Sequence, residues 1–122
     1  MCGIVGIINH NKNINTSELS SMCNKLQLRG PDSEGIWIDD NIGFGHRRLS
    51  IIDLETGDQP MTINDEKVVI VFNGEIYNFK ELRSKLIEKG YVFNTTSDTE
   101  VILKGYEEYG IDNLLNLLEG MF

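Results

Sequence analysis

Cys2 stands directly after the initiator methionine, so removal of Met1 would leave a thiol and an α-amine on one residue. A terminal amine titrates at about 7.7–8.0, far below lysine, and a useful fraction is neutral near neutral pH. It can therefore act as general base to its own side chain, the logic by which an N-terminal threonine or serine attacks a carbonyl. Gly3 beside it would let a substrate come close to the backbone. Taken alone, Cys2 reads more readily as a small buried hydrophobe at the start of a strand. Attack on an amide also builds an oxyanion, which preorganised amide donors stabilise best. Asn73-Gly74-Glu75 offers a side-chain N–H from Asn73 and a backbone N–H from Gly74. The same pair is otherwise an ordinary hairpin turn. Arg48, followed by Leu49-Ser50-Ile51-Ile52, carries the group best suited to a carboxylate, because a guanidinium makes two parallel hydrogen bonds to it. Asp98 is either a structural acid favoured by a helix dipole or an anion that receives a substrate ammonium.

These residues need elements to hold them. Gly3 to Ile8, almost wholly apolar and β-branched, predicts a strand buried on both faces. A helix is expected from about Asn15, boxed with Glu18, with Leu19, Met22, Cys23 and Leu26 at helical spacing. Arg29-Gly30-Pro31-Asp32 stops it. Strands are expected around Gly35–Asp39 and Ile42–Arg48, joined at Asp39-Asp40-Asn41. Asp53 to Asp65 reads as a loop, and Lys67–Phe72 as the clearest buried strand, ended by Asn73-Gly74. A second helix starts at Asn78, boxed with Glu81, with Tyr77 and Leu82 at staple positions and Gly90 closing it. Tyr91–Asn94 is an edge strand at best. A third helix runs from about Ser97, boxed with Glu100, to Gly110, and Ile111–Leu118 adds a short leucine-rich one. Strands and helices mix without regular βαβ alternation, which predicts the α+β class.

With 122 residues the chain buries roughly two-thirds of its unfolded surface, enough for a core. A net charge of −8 disfavours nucleic acid as a partner, since phosphate binding rests on Lys and Arg. Cys2 and Cys23 form no CxxC pair, and His10 and His46 show no zinc-ligand spacing, so no metal is expected. Without a disulfide framework, signal peptide or membrane-length apolar run, the expected place is the cytoplasm, away from membranes.

Several stretches, in order, resemble one family. Met-Cys-Gly-Ile-Val-Gly at 1–6, Arg-Gly-Pro-Asp at 29–32 and Gly-His-Arg-Arg-Leu-Ser-Ile-Ile-Asp at 45–53 carry the likeness. So do Asn-Gly-Glu-Ile-Tyr-Asn at 73–78, Ser-Asp-Thr-Glu-Val at 97–101 and Leu-Glu-Gly-Met-Phe at 118–122. Together they are similar to the class II, N-terminal-nucleophile glutamine amidotransferase domain of glutamine-hydrolysing asparagine synthetases. Hexosamine-forming relatives typically show Arg-Gly-Tyr-Asp and Asn-Gly-Ile-Ile-Glu-Asn instead. Synthetase-like proteins of surface-polysaccharide pathways share the motifs found here.

The resemblance implies an αββα sandwich of two mostly antiparallel sheets. It implies that Cys2 attacks the glutamine carboxamide, with Asn73 and Gly74 forming the oxyanion hole. It further implies that Arg48 clamps the substrate carboxylate and Asp98 receives its ammonium. Glu75 and the backbone from Leu49 through Ser50 and Ile51 to Ile52 would line the pocket. No cofactor is implied in this domain, whereas ATP and Mg are expected in a C-terminal synthetase domain that such chains carry next. Relatives continue beyond Leu-Glu-Gly-Met-Phe, so residues 1–122 are expected to be a truncated fragment, inclined to associate as homo-oligomers through unpaired strand edges. The competing class is a non-catalytic glutamine-binding or assembly module. His46 is read as support for Arg48 on the same strand face, not as a base for Cys2. Cys23 is read as a helix-core thiol, and Trp37 and the tyrosines as packing.

Overall fold

The computed structural model describes residues 2–53 and 55–122. Met1, whose removal the chemistry above requires, and Leu54, in the loop read over 53–65, lie outside the described residues. β1 (Gly3–Ile8), β2 (Ser33–Asp39) and β3 (Ile42–Arg48) form an antiparallel sheet in the order β1-β3-β2. Registers run from Gly3 opposite Arg47 to Ile8 opposite Ile42, and from Ser33 opposite Arg48 to Asp39 opposite Ile42. α1 (Thr16–Lys25) packs Leu19 and Cys23, both fully buried, onto the side of the sheet that carries Val5 and Gly45. That one helix explains a departure from expectation. β1 is not buried on both faces but alternates, with Ile4 47% and Ile8 63% exposed on the side α1 does not cover.

The remaining strands pair in twos. β4 (Met61–Ile63) and β5 (Val68–Ile70) form a hairpin, and β6 (Glu75–Ile76) pairs with β7 (Gly120–Met121). The apolar run at 67–72 thus contributes a strand of only three residues, and these are partly buried. Asn64, Asp65 and Glu66 all take left-handed backbone (φ 56, 53 and 63) and so turn the chain sharply before β5. β4 lies inside the stretch expected to be a loop, β6 and β7 were not foreseen, and no strand forms over Tyr91–Asn94.

α2 (Phe79–Glu88) and α3 (Asp98–Leu117) pack on each other through Leu82, Leu86 and Val101, with Phe79, Tyr91, Phe93, Tyr109 and Leu118 around them. Burying each such aliphatic side chain contributes about 1.5–3 kcal/mol. The expected capping boxes form only in part. Asn15 caps α1 by accepting from Ser17 N–H, and Ser97 caps α3 by accepting from Glu100 N–H. Glu100 does not reach back to Ser97; it takes the N–H groups of Asn94 and Thr95 instead. Asn78 makes no cap bond: its side chain donates to Leu117 O and accepts from Glu119 N, tying the start of α2 to the end of α3. Tyr77 is 64% exposed and staples nothing. α2 closes at Gly90 (φ 97) as expected, and α3 is broken at Gly110 (φ 71, ψ 167), where the sequence places the end of one helix and the start of another. The class is α+β as read from the sequence, a sandwich in which every described strand pair is antiparallel.

Candidate active site

Cys2 sits just ahead of β1, half-buried, with its carbonyl accepting from Arg29 Nε at 3.2 Å. Its Sγ lies against the peptide of Leu49, 3.4 Å from the N–H and 3.6 Å from the carbonyl oxygen. The sulfur is thereby held across the sheet from the end of β3, the element that also carries Arg48.

Arg47 and Arg48 are neighbours on β3, so they point to opposite faces. Arg47 bonds Gly30 O at 3.0 Å and Glu34 at 2.8 Å. Arg48, 5% exposed, faces the other way and borders a cavity. Its guanidinium ties down the segment that follows, donating to Ile52 O at 3.1 Å, to Asp53 O, and to Asp58 Oδ1 at 3.1 Å. Asp53 extends the tie by accepting from Thr56 N and Oγ1 and from Thr96 N, at 2.7, 2.6 and 2.6 Å. Its partial burial pushes its pKa up, but these hydrogen bonds outweigh that and hold it at about 2.

Asn73-Gly74 follows β5 and enters β6 directly. Gly74 allows a close approach there: a Cβ on it would stand 2.5 Å from Met121 O and 2.6 Å from the Phe72 ring. β7 therefore packs straight against the back of this turn.

The cavity, of about 230 Å³, brings these parts together. It is smaller than the roughly 300–1,000 Å³ of sites for drug-sized ligands, and its scale is that of an amino acid. Cys2, Arg48, Leu49, Ile51, Ile52, Asn73, Gly74 and Glu75 all line it. A family model described as a glutamine amidotransferase domain matches residues 1–122. The chain belongs to that family. Among its relatives are asparagine synthetase [glutamine-hydrolyzing] 1 of Bacillus subtilis (strain 168), 50% identical over 126 residues, and asparagine synthetase [glutamine-hydrolyzing] 2 of the same organism, 44% identical. Asparagine synthetase [glutamine-hydrolyzing] 1 of Arabidopsis thaliana is 41% identical over 127 residues. In each case all of this chain is covered but only 20%, 16% and 21% of the relative, so the chain spans about a fifth of their length.

Two residues expected in the pocket of this amidotransferase domain stand apart from the cavity. Ser50 does not line it, and its N–H donates to Asp32 Oδ2 at 2.7 Å. Asp98 does not line it either; it is 6% exposed, and its Oδ2 accepts from Ile76 N–H at 3.0 Å, bracing β6. His46, expected to support Arg48, instead places Nε2 3.2 Å from Phe72 O. Burial lowers its pKa, the Phe72 bond works against this, and Arg48 lowers it further. Cys23 is buried in the helix core as expected, and burial, with Glu34 nearby, raises its pKa. Trp37 stacks on Phe44 at 5.9 Å, and no tyrosine lines the cavity.

Sequence reasoning missed Gly57, Gln59, Phe72, Ser97, Thr99 and Met121 in the lining. Ser97 and Thr99 flank Asp98 in a stretch already singled out, so their nearness was available. Met121 lies in the Leu-Glu-Gly-Met-Phe motif, which marked the family but not the pocket, and Gln59, in a turn-rich stretch, gave no signal.

Proposed function

We propose that this amidotransferase domain hydrolyses the side-chain amide of glutamine, with Cys2 as nucleophile. The observation that carries the reading is that Cys2, Arg48, Asn73 and Gly74, which lie far apart in sequence, border one cavity of amino-acid scale. With Met1 removed, the α-amine takes the thiol proton as sulfur attacks the amide carbon. Asn73 and Gly74 hold the oxyanion. On collapse the amine returns its proton to the leaving nitrogen, releasing ammonia and leaving a γ-glutamyl thioester. Water then attacks the thioester, and the products are glutamate and the free thiol. Arg48 holds the substrate carboxylate with the donor capacity left by its ties to Ile52, Asp53 and Asp58. Asp98 supports the pocket from behind, its Oδ2 holding Ile76 N–H next to the Glu75 wall.

The names of the relatives support a larger role. In this reading residues 1–122 are the glutaminase part of an asparagine-synthetase-type protein, and the ammonia passes to a synthetase domain outside this chain, where ATP and Mg belong. The test is ammonia and glutamate production from glutamine by the intact protein and by Cys2→Ala. Equal rates would sink the assignment of Cys2.

A further inference from the structure

The turn that carries Asn73 and Gly74 follows a strand too short to hold it. β5 ends at Ile70, so neither backbone group of Phe72 has a ladder partner. Both are taken by side chains from elsewhere. Phe72 N–H donates to Gln59 Oε1 at 2.6 Å, and Phe72 C=O lies 3.2 Å from His46 Nε2. A carbonyl can only accept, so Nε2 carries the ring proton and donates it. The ring is buried (1% exposed), which favours its neutral form and leaves Nδ1 without a proton and, among the described residues, without a partner. The other end of the Gln59 amide donates to Thr99 Oγ1, 3.3 Å away on the first turn of α3. Three elements therefore converge on one residue: β3 through His46, the segment before β4 through Gln59, and α3 through Thr99.

We propose that Gln59 and His46 are positioning residues for glutamine hydrolysis, acting through the backbone of Phe72. This rests on the reading above that Asn73 and Gly74 hold the oxyanion. The carbonyl of Phe72 and the N–H of Asn73 belong to one rigid peptide plane. Gripping Phe72 at both its N–H and its C=O fixes the direction in which Asn73 and Gly74 leave that plane. Oxyanion donors act only within a narrow range of distance, so a misplacement of about 1 Å costs up to about a hundredfold in rate. Gln59 also borders the cavity; its amide oxygen is committed to Phe72 and one of its two N–H groups to Thr99. Its effect on KM against kcat separates a part in the geometry of the turn from a hold on substrate.

The test measures kcat and KM for ammonia release from glutamine in the intact protein, for two pairs of variants with the folded state checked by thermal unfolding. Gln59→Leu removes the acceptor of Phe72 N–H, whereas Gln59→Glu keeps an oxygen there. His46→Leu removes the donor to Phe72 C=O, whereas His46→Gln puts an N–H near the same place. The Leu variants should lose about tenfold to a hundredfold in kcat with KM within about twofold, and each conservative partner should recover most of that loss. If Gln59→Leu does not fold, the His46 pair decides the matter. A kcat within about threefold of wild type in folded Leu variants, or a raised KM at unchanged kcat, overturns the positioning role. Cys2→Ala run alongside separates the two levels. If it retains activity, the functional reading itself fails; if it is silent while the folded Leu variants are unimpaired, only the positioning inference fails.

Discussion

Replacing Asn73 by alanine removes a carboxamide from the cavity while leaving the backbone of the turn in place. If that carboxamide donates to the oxyanion, ammonia release should fall by roughly 10²–10³-fold in kcat with little change in glutamine binding. Steady-state kinetics on the intact protein checks this, and a loss of less than about threefold would leave the assignment empty. Arg48 is a different case, because it both borders the cavity and holds the carbonyls of Ile52 and Asp53. Arg48→Ala should raise KM for glutamine and also destabilise the fold, by up to about 1–3 kcal/mol for each carbonyl left without a donor and less where water reaches it, since Ile52 and Asp53 are only part-buried. A normal KM would remove Arg48 from the substrate site; an unchanged denaturation midpoint would remove it from the 49–57 segment. Cys2 depends on covalent history. Where Met1 is retained, the nitrogen of Cys2 is a peptide nitrogen and cannot serve as a base. Intact mass spectrometry combined with an electrophilic glutamine analogue should find selective Cys2 labelling only in chains that have lost Met1. Rapid labelling in chains that keep it would show that the amine is not needed.

The stretch after β3 is held at Ile52 and Asp53 from two sides, by Arg48 on their carbonyls and by Thr96 on the Asp53 carboxylate. A carboxylate held at about 2 against an ordinary 3.8 stabilises the folded state above the higher value. That contribution disappears as pH falls through the lower one. The stability difference between wild type and Asp53→Asn should therefore be present at about pH 6 and gone near about pH 2, with asparagine tolerating the left-handed backbone at this position. Because Asp53 is only half-buried, solvent keeps the difference small. Denaturant unfolding at the two pH values checks the sign.

Elements with a chemical start or stop signal were legible in the sequence. Ser97 opening α3, Gly90 closing α2 and Gly110 breaking α3 each follow from one residue's own backbone and side-chain preferences. β4, β6 and β7 were not legible, because a strand of two or three residues exists only where a partner backbone happens to lie. Gly120-Met121 becomes a strand by meeting Glu75-Ile76, and nothing in either dipeptide announces the other. The same reason explains the site. Cys2, Arg48, Asn73 and Gly74 each have an ordinary structural reading too, and it is the motifs around them that single them out in the sequence. Gln59 has no such mark, and its place comes entirely from which backbone groups are left over after the strands have paired.

At the scale of the molecule, no helix among the described residues is long and apolar enough to cross a membrane. Its outer surface does carry apolar groups at an edge. β1 has one strand neighbour, β3, and shows Ile4 and Ile8, while Leu28 is almost fully exposed at 99%. An open strand edge with apolar side chains invites pairing with another copy. Residues 1–122 prepared alone should therefore associate increasingly with concentration, and Ile8→Lys should shift the population toward monomer in sedimentation velocity runs. Concentration-independent monomer behaviour in the wild-type chain would refute this.

The strap formed by β7 has a consequence for the order of events at the ribosome. Met121 borders the cavity and its carbonyl packs behind Gly74, while Cys2 belongs to the first residues made. A nascent chain thus exposes the Cys2 thiol long before this wall of the cavity has been synthesised. Until residues 119–121 leave the exit tunnel and close onto Glu75-Ile76, the thiol has no formed pocket in which to meet a substrate. On the functional reading proposed above, glutamine turnover is therefore timed by translation, waiting at least until β7 emerges.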